Sequence, residues 1–220
     1  MKPFSKLCFL CLIIFSVSGV FSQEERFVRP VDEASKNPSF KIFRDNLIKA
    51  AKRHDVNYVL SIVDPKIKND FGGNDGIKNF KSDWKIENPK SKFWDEFITV
   101  ISNGGAFYTE APSRGTFCAP YTFMKFPEDV DAFEYSVIFG NNVNLRAEPA
   151  SDAPVVASLS YNIVKVDATN ETNPNWLKVE TLGGKKGFVS AKFVRSSIAY
   201  RACFEMIKGK WKMSAFIAGD

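Results

Sequence analysis

The hydrophobic period of the chain changes near residue 135, and few folds accommodate such a change. Upstream of it, apolar residues recur three and four apart. Phe40, Phe43, Leu47, Ile48 and Ala51 fall on one face of a helix over 40–51, with Lys41, Arg44, Asp45 and Lys49 around the other side. Val56, Val59, Leu60 and Val63 follow as a short second helix that Asp55 can cap and Pro65 ends. After a turn at Phe71–Gly76, the residues Ile77, Phe80 and Trp84 suggest a third helix. Phe93, Trp94, Phe97, Ile98 and Ile101 make a fourth, stopped by Asn103-Gly104-Gly105. The aromatic-rich stretches 106–109 and 116–123, bounded by Pro and Gly, read as extended. Helices followed by strands make this portion α+β.

Downstream, short β-branched runs replace the helical spacing, at 135–139, 143–146, 155–159, 163–168, 176–181 and 187–193, with turn residues between them. Strands of that length and interval make a small all-β barrel or sandwich. A last β signal covers 198–217. A two-residue turn at Lys208-Gly209 would pair Met206 with Trp211, Phe204 with Met213 and Ala202 with Ala215 on one face, and set Glu205 opposite Lys212. Because an isolated hairpin is marginal in water, its apolar face is expected against the N-terminal region, which makes the preceding barrel an insertion. The expected organisation is an export segment 1–22, an α+β domain 23–137, a barrel 138–196 and a closing hairpin 197–220.

Several ordered landmarks carry a family likeness. Val143-Asn144-Leu145-Arg146-Ala147-Glu148-Pro149, then Val155–Leu159, Trp176-Leu177-Lys178-Val179, Gly184, and Gly187-Phe188-Val189-Ser190 with Phe193 resemble a bacterial SH3 domain over residues 138–196. Phe188 departs from the Trp or Tyr frequent there. The resemblance implies an SH3-like barrel and a ligand class of peptidoglycan stem or bridge peptides, or a peptide segment of an envelope protein. Tyr161, Trp176 and the 147–153 loop would frame the groove, with Arg146, Glu148, Asp152 and Asn175 as polar contacts. Trp176 reads equally as a cover over the barrel's end, since large aromatics are mostly packing residues. The remainder, through the helix 40–51, His54-Asp55, Gly76 with Phe80 and Trp84, and 204–216, looks like an NTF2-like cone. That family hosts enzymes and binding proteins alike, so it implies a fold and not a function.

Residues 1–22 combine Lys2 and Lys6, no acid, and an apolar run from Leu7 to Val17 too short to span a bilayer. This is the order of a secretory signal peptide, with cleavage between Ser22 and Gln23. An uncleaved anchor is the alternative. Export to the periplasm or the medium is expected, with no membrane-spanning segment in the mature chain. Cleavage removes two of the 30 basic residues and none of the 25 acidic ones, leaving a net charge of +3. No basic block with interleaved aromatics remains, so a nucleic-acid partner is not expected. The mature chain keeps Cys118 and Cys203. An exported protein with two thiols invites one disulfide, which would tie the 117–123 strand to the hairpin, while two buried thiols are the other reading.

Catalytic signatures are sparse. With one histidine, His54, and no Cys-x-x-Cys or His-Glu-x-x-His pattern, neither an ordinary zinc site nor any other metal or cofactor site is expected. A Cys–His peptidase would have to use Cys118 in a strand with no activating turn. The chain therefore reads as a non-enzymatic envelope protein of open oligomeric state. The rival expectation is a small-molecule-binding or catalytic cone with the barrel as accessory, its pocket including His54, Asp64 or Asp83.

Overall fold

A computed structural model of the protein describes residues 24–167 and 173–219. Residues 1–22, expected as an export segment, and the expected cleavage position Ser22–Gln23 lie outside the described residues. In chain order the elements are α1 (Pro38–Lys52), α2 (Val56–Ile62), β1 (Val63–Lys68), α3 (Ile77–Trp84), α4 (Lys92–Ser102), β2 (Ala106–Phe107), β3 (Phe117–Ala119), α5 (Tyr121–Met124), β4 (Tyr135–Ile138), β5 (Val143–Arg146), β6 (Val155–Leu159), β7 (Ile163–Val166), β8 (Trp176–Thr181), β9 (Lys186–Ser190), β10 (Val194–Ser196), β11 (Arg201–Ile207) and β12 (Lys210–Ile217). They form a mixed α and β structure with two sheets.

Local chemistry sets the helix starts. The Asn37 side chain accepts from the Phe40 N–H at 3.2 Å and Pro38 occupies the first turn of α1; Asp55 accepts from the Tyr58 N–H at 3.0 Å, and Ser91 from the Phe93 N–H at 3.1 Å. Arg44 departs from the expected solvent face of α1. It is only 8% exposed and shares the buried side with Phe40 and Leu47. A guanidinium is tolerated there because it forks onto Asp32, Nη1 to Oδ1 at 2.7 Å and Nη2 to Oδ2 at 2.5 Å.

The first sheet has the order β1-β12-β11-β3-β2, so the C-terminal hairpin fills its centre. β11 pairs with β3, placing Cys203 opposite Cys118, and the two are joined in a disulfide. Three corrections concern this sheet. The second helix ends at Ile62, and 63–68 continues as a strand parallel to β12. Pro65, which has no N–H, is accommodated because β1 lies at the sheet edge. The 116–123 stretch is extended only to Ala119; Pro120 cannot donate to the ladder, and α5 follows. In the hairpin, Met206–Trp211, Phe204–Met213 and Glu205–Lys212 pair as expected, but Ala202 lies opposite Phe216 and Cys203 opposite Ala215. The register slips by one residue between Cys203 and Phe204. The extra residue lets Met213 and Phe216, three apart, both be buried.

Helices and first sheet enclose an aromatic core. Phe40 lies 4.3 Å from Phe117, and Phe216 lies within 5.1–6.4 Å of Phe80, Trp84, Phe93, Phe97 and Tyr200, ring centre to ring centre. Interlocked rings fill the space between the helices and the first sheet.

The second sheet is antiparallel, in the order β10-β4-β7-β8-β9-β5-β6. Among the described residues no ladder joins β6 to β10. Its own core is Ile138, Val143, Leu145, Leu159, Val164, Val179 and Val189. Gly187 is needed where β9 crosses β5: a Cβ there would sit 2.5 Å from the Arg146 carbonyl oxygen.

A shared apolar cluster and a strap help tie the sheets together. A further apolar cluster of Val28, Tyr121, Val137 and Ile163 draws on both parts of the chain. The segment 25–33 also runs from one to the other. Its Val28 N–H donates to Tyr161 O and its Arg26 carbonyl accepts from Ile163 N–H; Asp32 then bridges to Gly105 beside the first sheet. Glu25 anchors this strap, accepting from Thr181 Oγ1 at 2.8 Å and Asn162 Nδ2 at 3.1 Å with Lys185 Nζ at 3.4 Å.

Candidate functional site

The second sheet presents a cleft of about 380 Å³ lined by Asn142, Val143, Asn144, Arg146, Ser151, Trp176, Ser190, Lys192 and Phe193. Strand alternation builds it: Val143 and Leu145 turn into the core, so Asn144 and Arg146 face out together. Trp176 opens β8 directly opposite Ser190 of β9, and the turn after β9 adds Lys192 and Phe193.

The tryptophans separate by environment. Trp94 is in the aromatic core and Trp84 and Trp211 pack against it, whereas Trp176 belongs to none of the three apolar clusters and is half-buried in the cleft wall. Arg146 is held by one hydrogen bond, Nη1 to the Ala153 carbonyl at 2.6 Å, and the Lys192 ammonium rests 4.9 Å from the centre of the Phe193 ring.

Of the six residues expected to frame a groove, Arg146 and Trp176 meet in this cleft. The other four lie outside its lining. Glu148 and Asp152 are exposed on the connecting loop, pinned by the Ala147 N–H to Pro154 O and by the Arg146 contact so that Ser151 lines the cleft instead. The Asn175 carbonyl accepts from the Ala191 N–H, shaping the neighbouring turn. Tyr161 lies in the turn between β6 and β7, outside the cleft lining. Its backbone receives the strap at Val28, and it lies near Tyr121, whose phenol is pushed well above its ordinary range by burial first and by Tyr161 second. Asn144 was legible from alternation with Arg146. Ser190, Lys192 and Phe193 were not, because only strand pairing brings them beside Trp176.

Each residue expected in a cone pocket has a neighbour of its own. His54 stacks flat on Trp94 at 4.6 Å, Asp64 accepts from the Lys66 N–H two residues on, and Asp83 accepts from Asn74 Nδ2 at 2.8 Å. Each has a local structural role. Among the described residues no three His, Cys, Asp or Glu side chains gather as a metal site would require, and no helix is long and apolar enough to cross a membrane.

Carboxylates with perturbed acidity sit at the strap. Burial opposes ionisation of Glu25, yet hydrogen bonds from Thr181 and Asn162 and the Lys185 charge hold its carboxyl below the ordinary range. Burial likewise opposes ionisation of Asp32, and the Arg44 fork with the Ala34 N–H outweighs it. These shifts reflect the hydrogen bonds and charges that anchor the strap.

Residues 141–195 match the family model of the bacterial SH3 domain. The match falls inside the 138–196 stretch that carries the resemblance in sequence and contains every residue of the cleft. No curated protein matches the chain.

Proposed function

We propose that the protein is an exported, non-enzymatic cell-envelope protein whose SH3-like module, residues 138–196, binds peptidoglycan-derived peptides or a peptide segment of an envelope partner. In this reading the module is a partly open SH3-like barrel inserted into an α+β host of residues 23–137, completed by the hairpin 197–220. The bacterial SH3 match supports the ligand class, and the Cys118–Cys203 disulfide is in keeping with an oxidising compartment.

One observation carries the assignment. Among the described residues, Trp176 is the one tryptophan of four that no apolar cluster absorbs, and it stands in a cleft instead. A large aromatic kept out of a core and beside polar groups is the usual anchor of a recognition surface. The filled aromatic interior weighs against the pocketed-cone alternative.

The test is co-sedimentation of residues 23–220 with isolated cell wall, beside the Trp176→Ala variant. Retention of the parent and at least fivefold weaker retention of the variant is expected; equal retention would remove the cleft from the binding surface.

A further inference from the structure

Charge is distributed unevenly between two clefts of the second sheet. The larger, about 520 Å³, is walled by Lys165, Lys178 and Lys186 among its residues, and each lysine is neutralised: by Glu134 at 2.7 Å, Asp167 at 3.2 Å and Glu180 at 3.1 Å. Among the described residues, the lining of the Trp176 cleft contains two cations, Arg146 and Lys192, and no carboxylate. Among the described residues neither cation makes an ion pair, and the guanidinium has one protein acceptor for its five donors.

From this contrast we infer that the Trp176 cleft recognises a free carboxylate at the end of a short peptide, with Arg146 and Lys192 as its charge partners and Trp176 as the apolar face beside it. The inference rests on the peptide-binding reading above and narrows its ligand. Guanidinium and carboxylate match as planar forks, and Arg146 is pre-positioned by its bond to Ala153, so little ordering is needed on binding. Lys192 is exposed and supplies a second positive charge at the rim. Asn142, Asn144, Ser151 and Ser190 provide neutral donors and acceptors for peptide groups. A volume near the low end for ligand sites suits two or three residues rather than a long polymer. Wall stem peptides, which are short and end in free carboxylates, satisfy all three requirements.

Two measurements test the inference. In the first, residues 23–220 are sedimented with cell wall, native or with its carboxyl groups converted to amides. Retention is expected to fall at least fivefold on amidation, and to fall similarly on native wall for Lys192→Gln and for Arg146→Gln. Equal retention on both walls would overturn the proposal while leaving wall binding intact. In the second, the Trp176 indole resonance is followed by NMR during titration with N-acetyl-alanyl-alanine and with its C-terminal amide. A shift with the acid alone, lost in Lys192→Gln, supports the cleft assignment even if neither wall is retained, in which case the wall reading fails and the carboxylate site stands. No shift with either probe, or the same shift with both, overturns it. Lys192 is exposed, so its variant stays informative even if Arg146→Gln, which loses a structural hydrogen bond, folds poorly.

Discussion

Removal of the disulfide is the most informative perturbation, because its effect depends on how the two sheets are coupled. Cys118 and Cys203 are 85 residues apart, and the whole second sheet lies between them. If the chain unfolds as one unit, the bond constrains a loop of that length in the unfolded state, and loop-closure entropy gives about 4.6 kcal/mol. If the second sheet stays folded while the first melts, the flexible part of the loop shrinks to the connectors 119–134 and 197–202. With the span of the folded module this is equivalent to about 25 residues and about 3.5 kcal/mol. The shared cluster of Val28, Tyr121, Val137 and Ile163, the strap at Glu25, and the Arg195–Glu96 pair at 2.8 Å between β10 and α4 favour one unit. The assay is urea unfolding followed by tryptophan fluorescence and far-UV circular dichroism. The parent is compared with its dithiothreitol-reduced form and with Cys118→Ala/Cys203→Ala. Taking a slope of about 2 kcal/mol per molar urea, the midpoint should fall by roughly 2 M with both probes coincident. A shift under about 0.5 M in both the reduced and the substituted protein would refute the loop argument. Two separated transitions would refute the single unit.

Other outcomes follow from the packing and the ion pairs. Phe216→Ala, which empties the centre of five aromatic contacts, should cost about 4 kcal/mol, whereas Phe133→Ala at 74% exposure should stay within about 0.5 kcal/mol, both by urea midpoint. Asp32→Asn should cost about 2 kcal/mol at pH 7, since it leaves the Arg44 guanidinium buried without its counter-charge. The Asp32 carboxyl is held below its ordinary range, so its ionic contribution is complete above the unfolded value near pH 4 and is lost as the pH falls through the lower folded value; parent and variant stabilities should converge on acidification. Glu25→Gln should loosen the strap by about 1 kcal/mol. Faster amide hydrogen exchange at Val28 and Ile163 would report this, and unchanged exchange there would show that the strap is held by its backbone alone.

What the amino-acid order determined by itself was local. The helical spacing over 40–51 and 93–101, the cap at Asp55, the hairpin turn at Lys208-Gly209 and the strand runs of 143–146, 155–159 and 176–181 each depend on residues near in the chain, and each is present. The pairing of Cys118 with Cys203 was one of two readings the sequence left open, since only these two cysteines lie outside residues 1–22, and the sheet that sets β11 beside β3 decided it. Long-range pairing was decided by tertiary structure. Arg44 is buried because Asp32, twelve residues away, reaches it; β1 is a strand because β12 lies beside it; and the hairpin slips one residue so that Met213 and Phe216 can both enter the core. The cleft follows the same rule. Arg146 and Trp176 could be named from the chain, but Ser190, Lys192 and Phe193 join them only through the β5–β9 and β8–β9 ladders, and Tyr161, whose carbonyl accepts from the Val28 N–H of the strap, is not part of the lining. Periodicity encodes which face a side chain takes, whereas the neighbour across that face depends on loop closure and register, which no local pattern specifies.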